Sequence, residues 1–161
     1  MSEEIFGAVQ KLPVNGTKKQ VVLQCAPLLT GIKLSNLLNV RSDQKEEVLR
    51  IFEGSPVCCR VLYEFQGRLS ILLYRPGMLA AYLEREDVKK LMTSFGYENP
   101  DLEETLNRIA DAYQDHMNGK RGFPHEIGLV LGYPPVDVEG FIEKEGRDFL
   151  YSGYWKVYGN L

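Results

Sequence analysis

The sequence predicts an α+β domain, a small antiparallel sheet packed with a helical layer, and three observations predict it. Residues 57–75 alternate apolar and polar side chains with the period of two that marks a half-buried hairpin. Residues 79–117 and 124–145 instead repeat apolar residues every three or four positions, the period of helices with one buried stripe. Residues 149–158 return to an aromatic, β-prone run, expected to lie as a further strand beside the hairpin. With 161 residues, 44% hydrophobic and 25% charged, the chain is expected to form one domain over 1–161 that buries about 70% of its unfolded surface.

In chain order, Ile5, Phe6 and Val9 suggest a short helical start before Pro13 and the Asn15-Gly16 turn. Thr17 is placed to cap a helix over Lys18–Cys25 with Val21, Val22 and Cys25 on one side, and Pro27 is expected to stop it. Residues 28–40 fit either a strand or an irregular run. Ser42 or Asp43 opens the next helix, Asp43 with Glu46 as a capping box, and Val48, Leu49 and Phe52 form its inner face. In the hairpin Val57, Cys59, Val61, Tyr63 and Phe65 share one face, Gln66-Gly67 makes the turn, and Leu69, Ile71 and Leu73 return.

The helical half follows. Leu79, Tyr82 and Leu83 mark one helix, and Val88, Leu91, Met92 and Phe95 another that Gly96 ends. Asn99-Pro100-Asp101 starts a long helix with Asp101 and Glu104 as its box and Leu102, Leu106, Ile109, Ala110, Tyr113 and Met117 inward. Beyond the polar loop 118–122, Pro124 opens a two-turn helix ended by Gly132, and Pro134-Pro135 starts another with Val138, Phe141 and Ile142 inward. The offsets of Ile127, Gly128, Leu131, Gly132, Tyr133, Val138 and Phe141 match a helix-turn-helix pair at 124–145. A recognition helix needs basic or amide side chains. Residues 134–146 carry Asp137, Glu139, Glu143 and Glu145 against Lys144 alone, so phosphate is repelled.

The totals narrow the classes further. A net charge of −3 and a pI near 5.5 exclude nucleic acid and anionic membrane as default partners. The longest apolar run, 21–32, is interrupted by Gln24 and Pro27 and falls short of a membrane span. The acidic N-terminus lacks the basic start of a secretory signal, and Cys25, Cys58 and Cys59 make no disulfide framework, so the expected compartment is the cytoplasm.

Three strings together carry a resemblance: Cys25-Ala26-Pro27-Leu28-Leu29-Thr30-Gly31-Ile32-Lys33, the stretch Phe123 to Ile142, and Gly153-Tyr154-Trp155-Lys156-Val157-Tyr158-Gly159. Over nearly its whole length the chain resembles an uncharacterised family of bacterial proteins, classed as a domain of unknown function and met mostly in anaerobes. It departs from that pattern at Leu28, in place of Thr, and at Val136, in place of an acidic residue. The resemblance implies no activity, because the family has none assigned. It implies that the three strings meet in space, and because members run on past the last string, it leaves open whether Leu161 ends the natural chain.

Candidate chemistry is sparse. His125-Glu126 begins like the H-E-x-x-H zinc helix, but Leu129 stands where the second histidine would be, so no metal site is assigned. In a first helical turn the dipole would hold His125 neutral, suited to a base or a ligand. Cys25 could join His125 and Glu126 as nucleophile or ligand, yet it falls at a helix end that disfavours thiolate and reads better as a small buried hydrophobe. Cys58 and Cys59 point to opposite faces of a strand and read as structural. Phe123, His125, Tyr133, Tyr154, Trp155 and Tyr158, with Lys33, offer flat faces with polar tips, the residue types of a pocket or partner surface. The expectation is therefore a cytosolic, non-catalytic binding or accessory protein for a small molecule or protein partner, its cofactor unspecified. The alternative is a thiol- or metal-dependent enzyme using Cys25, His125 and Glu126. DNA binding ranks last.

Overall fold

The computed structural model describes residues 16–144 and the backbone of residues 151–152 and 156–157. The class is α+β. In order come α1 (Thr17–Leu29), β1 (Ser35–Arg41), a 3-10 turn (Ser42–Gln44), α2 (Lys45–Phe52), β2 (Cys58–Phe65), β3 (Arg68–Tyr74), α3 (Pro76–Leu83), α4 (Glu86–Ser94), α5 (Leu102–Met117), α6 (Glu126–Val130), α7 (Pro135–Lys144), β4 (Tyr151–Ser152) and β5 (Lys156–Val157). The chain groups into two compact units, residues 1–78 and 79–161.

In the first unit an open antiparallel sheet has the order β1-β3-β2. The ambiguous run 28–40 thus supplies the third strand, with Leu38 opposite Ile71 and Asn36 opposite Leu73. Gln66 (φ 49°) and Gly67 (φ 76°) make the two-residue turn between β2 and β3, both left-handed as such a hairpin requires. The expected alternation of β2 fails past Val61. A bulge between Val61 and Tyr63 inserts Leu62, which is buried, and Phe65 points outward at 56% exposure instead of inward. Leu69, Ile71 and Leu73 pack with Leu38 and Val40 of β1, with Val21, Cys25 and Leu28 of α1, and with Val48 and Phe52 of α2.

Two helix boundaries differ from expectation. Pro27 does not end α1; the helix runs on to Leu29, because proline near a helix end forfeits one N–H while its φ suits the turn. Its carbonyl accepts the N–H groups of Ile32 and Lys33, both at 2.9 Å, and Gly31 N–H reaches Leu28 O at 3.1 Å. That six-to-one ending, closed by a glycine at positive φ, recurs after α4, α5 and α6 at Gly96, Gly119 and Gly132 (φ 92°, 74° and 83°). The Arg75 guanidinium adds hydrogen bonds to Leu28 O (3.0 and 3.1 Å) and Leu29 O (3.2 Å), satisfying carbonyls that the end of α1 leaves open. At α2 the expected Asp43–Glu46 box is replaced. Gln44 Oε1 accepts Arg41 N–H at 2.9 Å, and its amide donates to Thr17 Oγ1 and Gln20 Oε1, while Asp43 pairs with Arg41 at the surface. Thr17 is consequently the first residue of α1 rather than its cap, which is Gly16.

In the second unit, Leu79 of α3 and Val88 and Met92 of α4 are buried. Asp101 caps α5, its carboxylate accepting Glu104 N–H at 2.8 Å. Leu106, Ile109, Ala110 and Ala112 are buried, whereas Met117, in the last turn, is 47% exposed and leaves the expected stripe. The helix pair at 124–145 forms as α6 and α7. α6 spans five residues instead of two turns, and Ile127, Leu129 and Val130 are buried on all its sides. Pro134 O accepts Asp137 N–H (2.9 Å) and Val138 N–H (3.2 Å) to start α7, and Tyr82 Oη donates to Tyr133 O at 2.8 Å, fixing the turn. Val138 is buried, but Ile142 is 38% exposed rather than inward.

The expected strand 149–158 does not join the three-stranded sheet. β4 and β5 pair antiparallel with each other, Tyr151 opposite Val157 and Ser152 opposite Lys156. The expected helical start at 1–15 lies outside the described residues, as do Tyr154, Trp155 and Tyr158. Among the described residues no helix is long and apolar enough to cross a membrane.

Candidate binding site

The loop joining α5 to α6 places the residues of interest. Gly119 ends α5, and Lys120 N–H returns to Asp115 O at 2.8 Å, turning the chain so that Phe123 lies beside the preceding helix. The Phe123 ring then meets both histidines of the protein edge-on, His116 at 5.5 Å and His125 at 5.5 Å between centroids. His125 in turn tilts against Phe141 of α7 at 5.7 Å. The four rings form a continuous row from α5 through the loop to α7. Phe123 is 38% exposed and is the row's outward face.

His125 sits at the N-cap of α6 with its Nδ1 buried and without a hydrogen-bond partner. Its pKa is lowered, first by burial and then by the Arg121 guanidinium. The larger cause is desolvation between aromatic rings, not the helix dipole that the sequence suggests. The imidazole is neutral at pH 7, one ring nitrogen a donor and the other an acceptor, and the Nδ1 is shut away from solvent.

Glu126, one residue on, faces a different space. It is 3% exposed and lines a cleft of about 230 Å³ with Phe95, Tyr97, Arg108, Asp111, Ala112, Asp115 and Arg121. Its carboxylate accepts from Arg121 Nη2 at 3.5 Å, a long contact, and burial raises its pKa against the pull of Arg121 and Arg108. Arg108 lies 3.9 Å over the Tyr97 ring and donates to Gly96 O at 3.0 Å. Tyr97 is 4% exposed, yet its hydroxyl makes no hydrogen bond among the described residues. Its pKa is pushed up to about 12, first by burial and then by Glu126.

Sequence reasoning passed over this cleft. Arg108, Asp111, Ala112 and Asp115 stand at i, i+3, i+4 and i+7 on α5, a helical face that reads as solvated when only the apolar stripe is followed. The available signal was Ala112, a small residue between charged ones, leaving room above the helix. Nothing marked Tyr97, whose place depends on the glycine ending of α4.

Cys25 and Lys33 belong to the first unit, whereas Phe123, His125, Glu126 and Tyr133 belong to the second. The Cys25 sulfur is fully buried in the core and accepts from Asn36 Nδ2 at 3.3 Å. Burial pushes its thiol up to about 11, the Asn36 bond and Lys33 opposing. The Lys33 ammonium is held below its ordinary value by burial, and its backbone completes the ending of α1. Cys58 is exposed; Cys59 packs at the core edge with its thiol also pushed up to about 11 by burial. Among the described residues no three His, Cys, Asp or Glu side chains converge as a metal-holding group.

A family model described as protein of unknown function (DUF3793) matches residues 21–161. No curated protein and no solved structure matches the chain.

Proposed function

Because the chain belongs to the DUF3793 family, whose function is unknown, we propose its role from its own residues: a cytosolic, non-catalytic binding or accessory protein whose recognition surface centres on Phe123 and His125. The observation that supports this reading is the ring row itself. An aromatic side chain standing out at 38% exposure, backed edge-on by a neutral, partly buried histidine ring, offers a flat apolar face to a partner. Tyr133, half-buried at the turn after α6, and the aromatic residues Tyr154, Trp155 and Tyr158 are proposed to extend that surface. Free cysteines, one of them exposed, suit a reducing compartment.

Thiol chemistry at Cys25 gains no support from its surroundings. A fully buried thiol with a raised pKa is a poor nucleophile at neutral pH. The acidic residues Glu139 and Glu143 on the exposed side of α7 likewise lend nothing to DNA binding.

The test is native mass spectrometry with elemental analysis on the full chain purified without oxygen. The expected result is a stoichiometric organic molecule or protein partner, lost at least tenfold on Phe123→Ala or His125→Ala. A stoichiometric metal released by Cys25→Ser would replace this reading with the enzymatic one.

A further inference from the structure

The cleft between α5 and the Arg121–Glu126 segment is a second site, with chemistry unlike that of the ring row. We propose that it binds a small organic cation, an alkyl amine or guanidine with several N–H donors, on Glu126, Asp111, Asp115 and the Tyr97 hydroxyl. The argument starts from what these groups lack. Glu126 is 3% exposed, and its carboxylate, able to accept about four hydrogen bonds, holds one side-chain contact at 3.5 Å. The Tyr97 hydroxyl, on a side chain more than nine-tenths buried, is unpaired among the described residues. Tyr97 lines the cleft together with Glu126, Arg108, Arg121 and Asp111. Asp111 and Asp115, one helical turn apart, have no side-chain partner among the described residues.

Charge sets the sign of the ligand. Three carboxylates against two guanidinium groups leave the lining one negative charge in excess. Arg108 is already engaged by the Tyr97 ring and Gly96 O, leaving acceptors in surplus over donors. Spacing sets its shape. The carboxylates do not converge as a metal-holding group, so a point cation meets them poorly while an extended one with several donors can reach more than one. Volume sets its size. About 230 Å³ lies below the ~300 Å³ at which drug-sized pockets begin, which suits a short alkyl chain.

The test is isothermal titration of the full chain with butane-1,4-diamine and agmatine, with butan-1-ol as the neutral control and inorganic phosphate as the anion. Saturable binding of at least one cation is expected, together with none of the alcohol or phosphate. Glu126→Gln and Asp111→Asn, both near-isosteric and the second on an exposed residue, are each expected to weaken it tenfold or more, and Tyr97→Phe several-fold. Phe123→Ala is expected to leave it unchanged, which separates this site from the ring row. Phosphate binding in place of the cations, no saturable cation binding, or cation binding indifferent to both acidic variants overturns the proposal.

Discussion

Ile71→Ala is expected to lower the unfolding free energy by about 2–5 kcal/mol and the thermal midpoint by roughly 5–15 °C. Ile71 is fully buried at the centre of the middle strand, paired with Leu38 on one side and Val61 on the other. It is part of the cluster that α1 and α2 cover, so its loss opens a cavity bounded by two strands and two helices. Such surroundings cannot close in without breaking strand pairing, which puts the cost in the upper part of that range. Urea unfolding followed by circular dichroism measures it. A loss below about 1 kcal/mol would mean that the sheet relaxes around the gap and that this cluster does not dominate the stability of the first unit.

The second large effect concerns His125 and changes with pH. His125→Phe should raise stability by about 1 kcal/mol at pH 7.5, since it replaces a buried, unpartnered Nδ1 with an apolar edge in a row of aromatic rings. The low end of the usual range applies because the residue is only partly buried. The folded pKa lies below 6.5, so between that value and 6.5 the unfolded chain takes up a proton that the folded chain does not. The wild-type protein therefore loses stability as pH falls from 6.5 toward the folded value, and the variant loses this contribution. Glu126 acts in the opposite sense: its raised pKa makes stability fall as pH rises from 4.5 to its folded value. It is present in both proteins, so the difference between their stability–pH curves isolates His125. Parallel curves from pH 7.5 to 5 would show that the imidazole is not desolvated. Gain of stability accompanied by loss of the bound molecule would identify His125 as a residue held at a cost for recognition.

Much of the local structure was legible in the residue order. The Gln66-Gly67 hairpin, the Asp101 cap and the stops at Gly96 and Gly132 each rest on residues whose backbone preference acts within four positions. Errors arose where a distant partner overrode the local signal. Pro27 stays helical at an end where Arg75, far along the chain, takes the carbonyls of Leu28 and Leu29. Residues 35–41 become a strand because β3 offers them an edge. Phe65 turns outward because a bulge at Leu62 shifts the register.

The candidate site divides in the same way. Phe123 and His125 stand out as candidates by residue type and position alone, but the lowered pKa of His125 comes from burial and from Arg121, which its place at a helix start does not supply. That Phe123 bridges both histidines, and that Glu126 looks away from them into a cleft with Tyr97 and Asp111, could not. Sequence by itself determined the α+β class, the helix stops at Gly96 and Gly132 and the absence of a familiar catalytic motif, because those depend on short-range geometry and on residue chemistry. Tertiary structure alone decided which strand completes the sheet and which polar groups are buried together, because both depend on contacts between residues far apart in the chain, and desolvation exists only once those contacts have closed.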